Sequence, residues 1–221
     1  MWSEADPRVT CLVQNASRSF RHELLVNNFS GIPILQQHGG VDDNVPAFHS
    51  RRMSQLISES NNDACQEYIE LKDRNHWFDG VMTTQPLREF YRDILGGNSD
   101  LPQLPQSFSI VIANPADMGS RGGLVVDQLC DPDQLGKIKV APSSTTDAWV
   151  LTTSNILRFH FSTTCGSKLP AHVIIIDKTP IRLPLGHEKR VYWLVHSEDG
   201  SWHVSEDSWQ PVFRKLTVPD D

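Results

Sequence analysis

The run Gly31-Ile-Pro-Ile-Leu-Gln-Gln-His-Gly-Gly-Val-Asp-Asp-Asn-Val-Pro-Ala-Phe-His-Ser50 joins a short apolar segment to an acidic turn and then to the start of a helix. Ile32 to Leu35 form a brief apolar run suited to a buried parallel strand. His38-Gly39-Gly40 are predicted to break that strand, because glycine reaches backbone angles closed to other residues. Asp42, Asp43 and Asn44 then stand at the strand's C-terminal end, where open α/β sheets collect their chemistry. Pro46 suits the first turn of the helix that follows.

Working outward, that helix carries Met53, Leu56 and Ile57 on one face and Arg51, Arg52, Gln55 and Glu59 on the other, the spacing of a surface helix packed on a sheet. Asn61-Asn-Asp63 is predicted to end it, and the segment from Cys65 to Leu71 to return as a second strand. Strand, helix, strand within one sheet requires a parallel, right-handed crossover, so both strands open on the same edge. The loop after the second strand, Asn75-His76-Trp77-Phe78, is thereby brought towards Asp42. Beyond it, Pro86 opens a helix with Leu87, Phe90, Tyr91 and Ile94 at helical spacing, and Gly96-Gly97 stop it.

The acid-bearing turn followed by a helix, and a histidine loop after the next strand, resemble the prolyl oligopeptidase family of α/β-hydrolases, in which His-Gly-x-x-Asp-Asp-x-Val precedes a helix. The resemblance implies that Asp42, the first acid of the pair, and His76 are the catalytic acid and base of a Ser-His-Asp triad that cleaves a peptide or small ester. It implies no cofactor and no metal. In such a centre the histidine takes the serine's proton, and the carboxylate fixes the imidazole tautomer and stabilises its charged form. The nucleophile is expected on a strand-to-helix elbow within Gly-x-Ser-x-Gly. No serine of this chain has that setting; ahead of Asp42 stand Ser3, Ser17, Ser19 and Ser30, none with the required glycine two residues before and two residues after it. The resemblance covers residues 1–97 as the C-terminal portion of a hydrolase domain. The expectation is a chain inactive alone and completed by a serine-bearing half. The alternative is a non-catalytic binding or interaction protein that uses its C-terminal half.

Residues 98–106, with Pro102 and Pro105, have no apolar periodicity and read as a linker. From 107 to 221 the composition changes to short β-prone runs separated by turn residues: Phe108–Ile112, Gly123–Val126, Lys137–Val140, Trp149–Leu151, Leu157–Phe161, His172–Ile176, Arg190–Val195 and Trp202–Val204. Runs of this length and interval predict an antiparallel β-sandwich-like domain. The expected fold class is therefore α/β plus all-β: a partial α/β-hydrolase followed by that domain. A tight two-residue turn at Asp199-Gly200 would set His196 opposite His203, a pair too small in ligand number for a zinc site. Gly119-Ser-Arg-Gly-Gly123 has no following helix and reads as a turn.

Acidic residues (27) outnumber basic ones (20) and no segment concentrates Lys or Arg, so neither nucleic acid nor an anionic membrane is an expected partner. The polar, acidic start Met1-Trp-Ser-Glu-Ala-Asp-Pro is unlike a signal peptide, which predicts a cytoplasmic chain, or a secreted one if Met1 is a truncated start. Two sequons, Asn15-Ala-Ser17 and Asn28-Phe-Ser30, matter only in the secreted case. Cys11, Cys65, Cys130 and Cys165 are widely spaced without a Cys-x-x-Cys motif.

Overall fold

The computed structural model describes residues 6, 9–10, 13, 16–18, 20–60, 66–96, 105–146, 148–162, 173–183 and 191–205. The chain divides into two compact units, Ser17–Val111 and Ile112–Asp221 together with Met1–Ala16. Most of the predicted linker, 98–106, lies outside the described residues.

In the first unit, strand β1 (Ile34–Gly39) leads to helix α1 (Phe48–Ser60), strand β2 (Gln66–Leu71) and helix α2 (Gln85–Leu95). The two strands are parallel, in register from Ile34↔Gln66 to Gly39↔Leu71. The strand expected to break at His38 therefore runs through His38 and Gly39. Pairing continues to the last residue because Gly39 has no Cβ to meet the loop beyond β2. A Cβ there would run into the carbonyl oxygen of Arg74 and lie 2.6 Å from that of Asn75.

Helix α1 rests on the strands through Ile57, which is 2% exposed, with Met53 and Leu56 half-buried beside it. Its outer face reaches β2 through a two-pronged Arg51–Glu70 pair at 2.8 and 2.6 Å. Helix α2 has Pro86 in its first turn and buries Leu87. Asn28 is tied both ways to the backbone of Val111, each bond 2.8 Å. Few apolar side chains of this unit are buried: Val26, Ala47, Ile57 and Leu87 among the described residues before Phe108. Phe20, Ile32, Val41, Val45, Phe48, Trp77, Met82 and Leu95 are exposed.

From Phe108 onward the described residues are β-structure in two sheets. The strands are β3 (Phe108–Ile112), β4 (Leu124–Leu129), β5 (Gly136–Pro142), β6 (Trp149–Ser154), β7 (Ile156–Ser162), β8 (Val173–Ile176), β9 (Thr179–Arg182), β10 (Val191–His196) and β11 (Trp202–Ser205). One sheet has the order β11-β10-β7-β4, and the other β3-β5-β6-β8-β9. Alternation along the strands buries Phe159, Phe161, Ile138, Ile176 and Leu194 at 1% exposure or less. A fully buried aliphatic or aromatic side chain of this size stabilises the fold by about 1.5–3 kcal/mol.

This half is β-rich as expected, with three differences in detail. Strand β9 was not predicted. It forms a hairpin with β8 through Asp177 and Lys178, both at positive φ (48° and 74°), and such a turn without glycine leaves little trace in a sequence. Strands β6 and β8 pair in parallel, so the second sheet is mixed rather than antiparallel. The third difference is a register. His196 pairs with Trp202, and His203 with Val195. The loop holds three residues between Ser197 and Ser201, whose backbones bond at 2.8 Å, with Gly200 at φ 82°. A one-residue slip moves each side chain of the strand to the opposite face. Trp202 is consequently buried beneath Phe159, at a ring distance of 5.3 Å, and His203 is exposed and bonded to Ser197 Oγ at 3.0 Å. The facing imidazole pair does not form.

Candidate active site

Two loops leave the same edge of the parallel pair, Gly40–Asn44 after β1 and Lys72–Phe78 after β2. They are stitched together by backbone bonds: Gly40 N–H donates to Leu71 O at 2.8 Å and Val41 N–H to Arg74 O at 3.0 Å. Asn75 then bridges the loops with one atom. Its Oδ1 accepts from the backbone N–H of Asp43 at 3.2 Å and of His76 at 2.6 Å. Gln37 adds a strap, with its amide donating to Val81 O at 2.6 Å and its oxygen accepting from Thr84 Oγ1 at 2.7 Å.

This framework brings Asp42 and His76 together. Asp42 Oδ2 lies 2.9 Å from His76 Nδ1, and the carboxylate is 4% exposed against 29% for the imidazole. Oδ1 accepts from the backbone N–H of Asn44 at 3.0 Å and of Val45 at 2.8 Å. Burial by itself pushes this carboxyl upward. The Val45 N–H, the His76 ring and the Asn44 N–H outweigh it and hold the group down at about 2, so it is ionised near neutrality. Asp43 offers its backbone to Asn75 and is exposed.

An ionised carboxylate at Nδ1 places the imidazole proton there. His76 Nε2 is then the basic nitrogen, and it has no hydrogen-bond partner among the described residues. The exposed Trp77 ring meets the imidazole edge-on at 5.0 Å. Beside the pair is a cavity of about 160 Å³ walled by His38, Asp42, Leu71, Asn75, His76 and Phe78. The arrangement can accept a proton at Nε2 and stabilise the resulting charge through Asp42.

Sequence reasoning assigned no role to His38, Ser50 or Asn75. His38 Nε2 lies 2.8 Å from Val45 O and 3.2 Å from Asp42 Oδ2, while its Nδ1 is 2.8 Å from Ser50 Oγ on α1. The spacing His38-x-x-x-Asp42 was visible, but the histidine read as part of a strand break. Ser50 and Asn75 carried no separate signal, because their roles depend on elements meeting in space.

No family model matches the chain, and no solved structure matches it. Over 219 residues, 97% of the chain, it is 37% identical to an uncharacterized secreted protein of Arthroderma benhamiae. The chain spans 23% of that relative's length. No helix among the described residues is long and apolar enough to cross a membrane.

Proposed function

We propose that Asp42 and His76 are the acid and base of a Ser-His-Asp centre of prolyl oligopeptidase type, acting on peptide or small ester bonds, and that the nucleophilic serine comes from outside this stretch of sequence. The observation that carries the proposal is the 2.9 Å Asp42 Oδ2–His76 Nδ1 contact with Nε2 left open, the polarity a serine hydroxyl needs in order to lose its proton to the ring. In this reading residues 1–97 are the last part of an α/β-hydrolase domain.

Two further observations support it. A parallel sheet is ordinarily covered on both faces and extended by other strands, whereas among the described residues β1 and β2 form a two-stranded sheet in a unit that exposes Val41, Phe48, Trp77 and Met82. The relative is also long enough to hold a serine-bearing part, since this chain spans 23% of it. The relative's description as secreted supports an extracellular setting for the proposed enzyme.

The test begins with the reading frame upstream of Met1 and the protein it encodes. A product that contains Gly-x-Ser-x-Gly should react with a fluorophosphonate probe at that serine, and His76→Ala should abolish the reaction. The 221-residue chain should not react. Labelling of the isolated chain, at Ser50 for instance, or the lack of any serine-bearing segment or partner that restores labelling, would sink the proposal.

A further inference from the structure

We propose that His38 is a positioning residue for this centre: held by Ser50, it buttresses the Asp42 turn so that the carboxylate stays directed at His76. The inference rests on the hydrolase reading for its catalytic meaning, although the geometry is independent of that reading. Both atoms near His38 Nε2 are acceptors, the Val45 carbonyl at 2.8 Å and Asp42 Oδ2 at 3.2 Å. The network therefore assigns the proton to Nε2. In the neutral ring Nδ1 is then a bare acceptor, and the Ser50 hydroxyl, 2.8 Å away, donates to it.

This arrangement closes a small ring of contacts around the turn. Val45 N–H donates to Asp42 Oδ1 at 2.8 Å, and the carbonyl of the same residue accepts from His38. The carboxylate thus has Asn44 and Val45 N–H groups on one oxygen, and His76 and the nearby His38 Nε2 on the other. His38 is itself 10% exposed, so water does not readily take its place. Because His38 is in β1 and Ser50 in α1, the turn between them is clamped at both ends. The Nε2 proton goes to the Val45 carbonyl, and the ring edge beside Asp42 Oδ2 holds the carboxylate in the direction it already has.

The test uses the folded 221-residue chain and ¹⁵N NMR of its imidazoles. His38 should carry its proton on Nε2 and His76 on Nδ1, with a low-field Nδ1–H resonance. His38→Phe, which fills space but cannot donate, should increase solvent exchange of the His76 Nδ1 proton about tenfold or more. His38→Gln, which keeps a donor, should restore much of the protection, and Ser50→Ala should shift the His38 Nδ1 signal. A proton on His38 Nδ1 in the wild type overturns the proposal without any variant being needed. So does an unchanged His76 Nδ1–H resonance in a folded His38→Phe chain.

In the serine-bearing protein, His38→Phe should lower kcat about 10- to 100-fold with little change in KM, since small misplacements at a reacting centre have effects of that order. If the NMR results hold and no serine-bearing protein turns over substrate, the hydrolase reading fails and the buttress remains. If turnover is found and the NMR results fail, the reverse is true.

Discussion

Gly39 lies directly beneath Asn75, so close that a Cβ on the glycine would come within 2.6 Å of the Asn75 carbonyl oxygen and would run into that of Arg74 as well. Both obstacles are backbone atoms and cannot swing aside. The last residue of β1 and the loop that carries His76 are therefore in contact through their main chains, and the distance between Asp42 and His76 depends on the absence of one methyl group.

Gly39→Ala should separate the two loops. Overpacking of a tight site costs about 1–3 kcal/mol, and the expected outcome is a loss of that size in urea-unfolding stability together with loss of the low-field His76 Nδ1–H resonance. A variant with wild-type stability and an intact resonance would show that the loop can move away at no cost.

Asn75→Ala removes the one acceptor shared by Asp43 N–H and His76 N–H. Two hydrogen bonds at about 0.5–1.5 kcal/mol each give an expected loss of about 1–3 kcal/mol. Asn75→Asp keeps an oxygen acceptor in the same place and should recover most of the loss. Equal destabilisation by both variants would mean that the amide nitrogen, not the oxygen, matters.

Acid should weaken the chain partly through Asp42. Its carboxyl is held at about 2 in the folded chain against an ordinary 3.8, so the unfolded chain binds the proton more readily. A group with a depressed folded value contributes stability that is complete above the unfolded value and is lost as pH falls through the folded one. Between roughly pH 4 and pH 2 the wild type should therefore lose stability more steeply than Asp42→Asn. Parallel pH profiles of the urea midpoint for the two proteins would contradict the assignment of this group.

Trp202 should be the most sensitive position of the β11 hairpin. It is 4% exposed, packs on Phe159, and donates from Nε1 to Asp177 Oδ2 at 3.0 Å. Trp202→Ala should cost about 3–5 kcal/mol. Trp202→Phe keeps a ring and loses a bond to a charged acceptor, for which about 1.5–3 kcal/mol is expected. Thermal or urea unfolding of both variants checks the order, and a null effect of the alanine variant would contradict the observed register.

Local sequence determined a good deal here. Apolar spacing and Pro86 marked the faces and starts of α1 and α2, and β-prone runs separated by turn residues marked eight of the strands, because these signals arise from a residue and its near neighbours. The order of the Asp42 turn, a helix, a strand and the His76 loop was also legible, since it is a property of the chain itself.

Register, pairing direction and the partners of individual atoms were decided only in three dimensions. A two-residue turn would set His196 opposite His203, but the three-residue loop shifts β11 by one position, a difference that a Ser-Glu-Asp-Gly-Ser segment does not announce. Asp177 and Lys178 turn the chain at positive φ because Asp177 is held by Thr153 and Trp202, far away in sequence. At the candidate site the roles of Asp42 and His76 are legible in the sequence, whereas those of His38, Ser50 and Asn75 are not. Their hydrogen bonds cross between β1, α1 and the loop after β2, and such bonds exist only once the parallel pairing has brought those elements side by side.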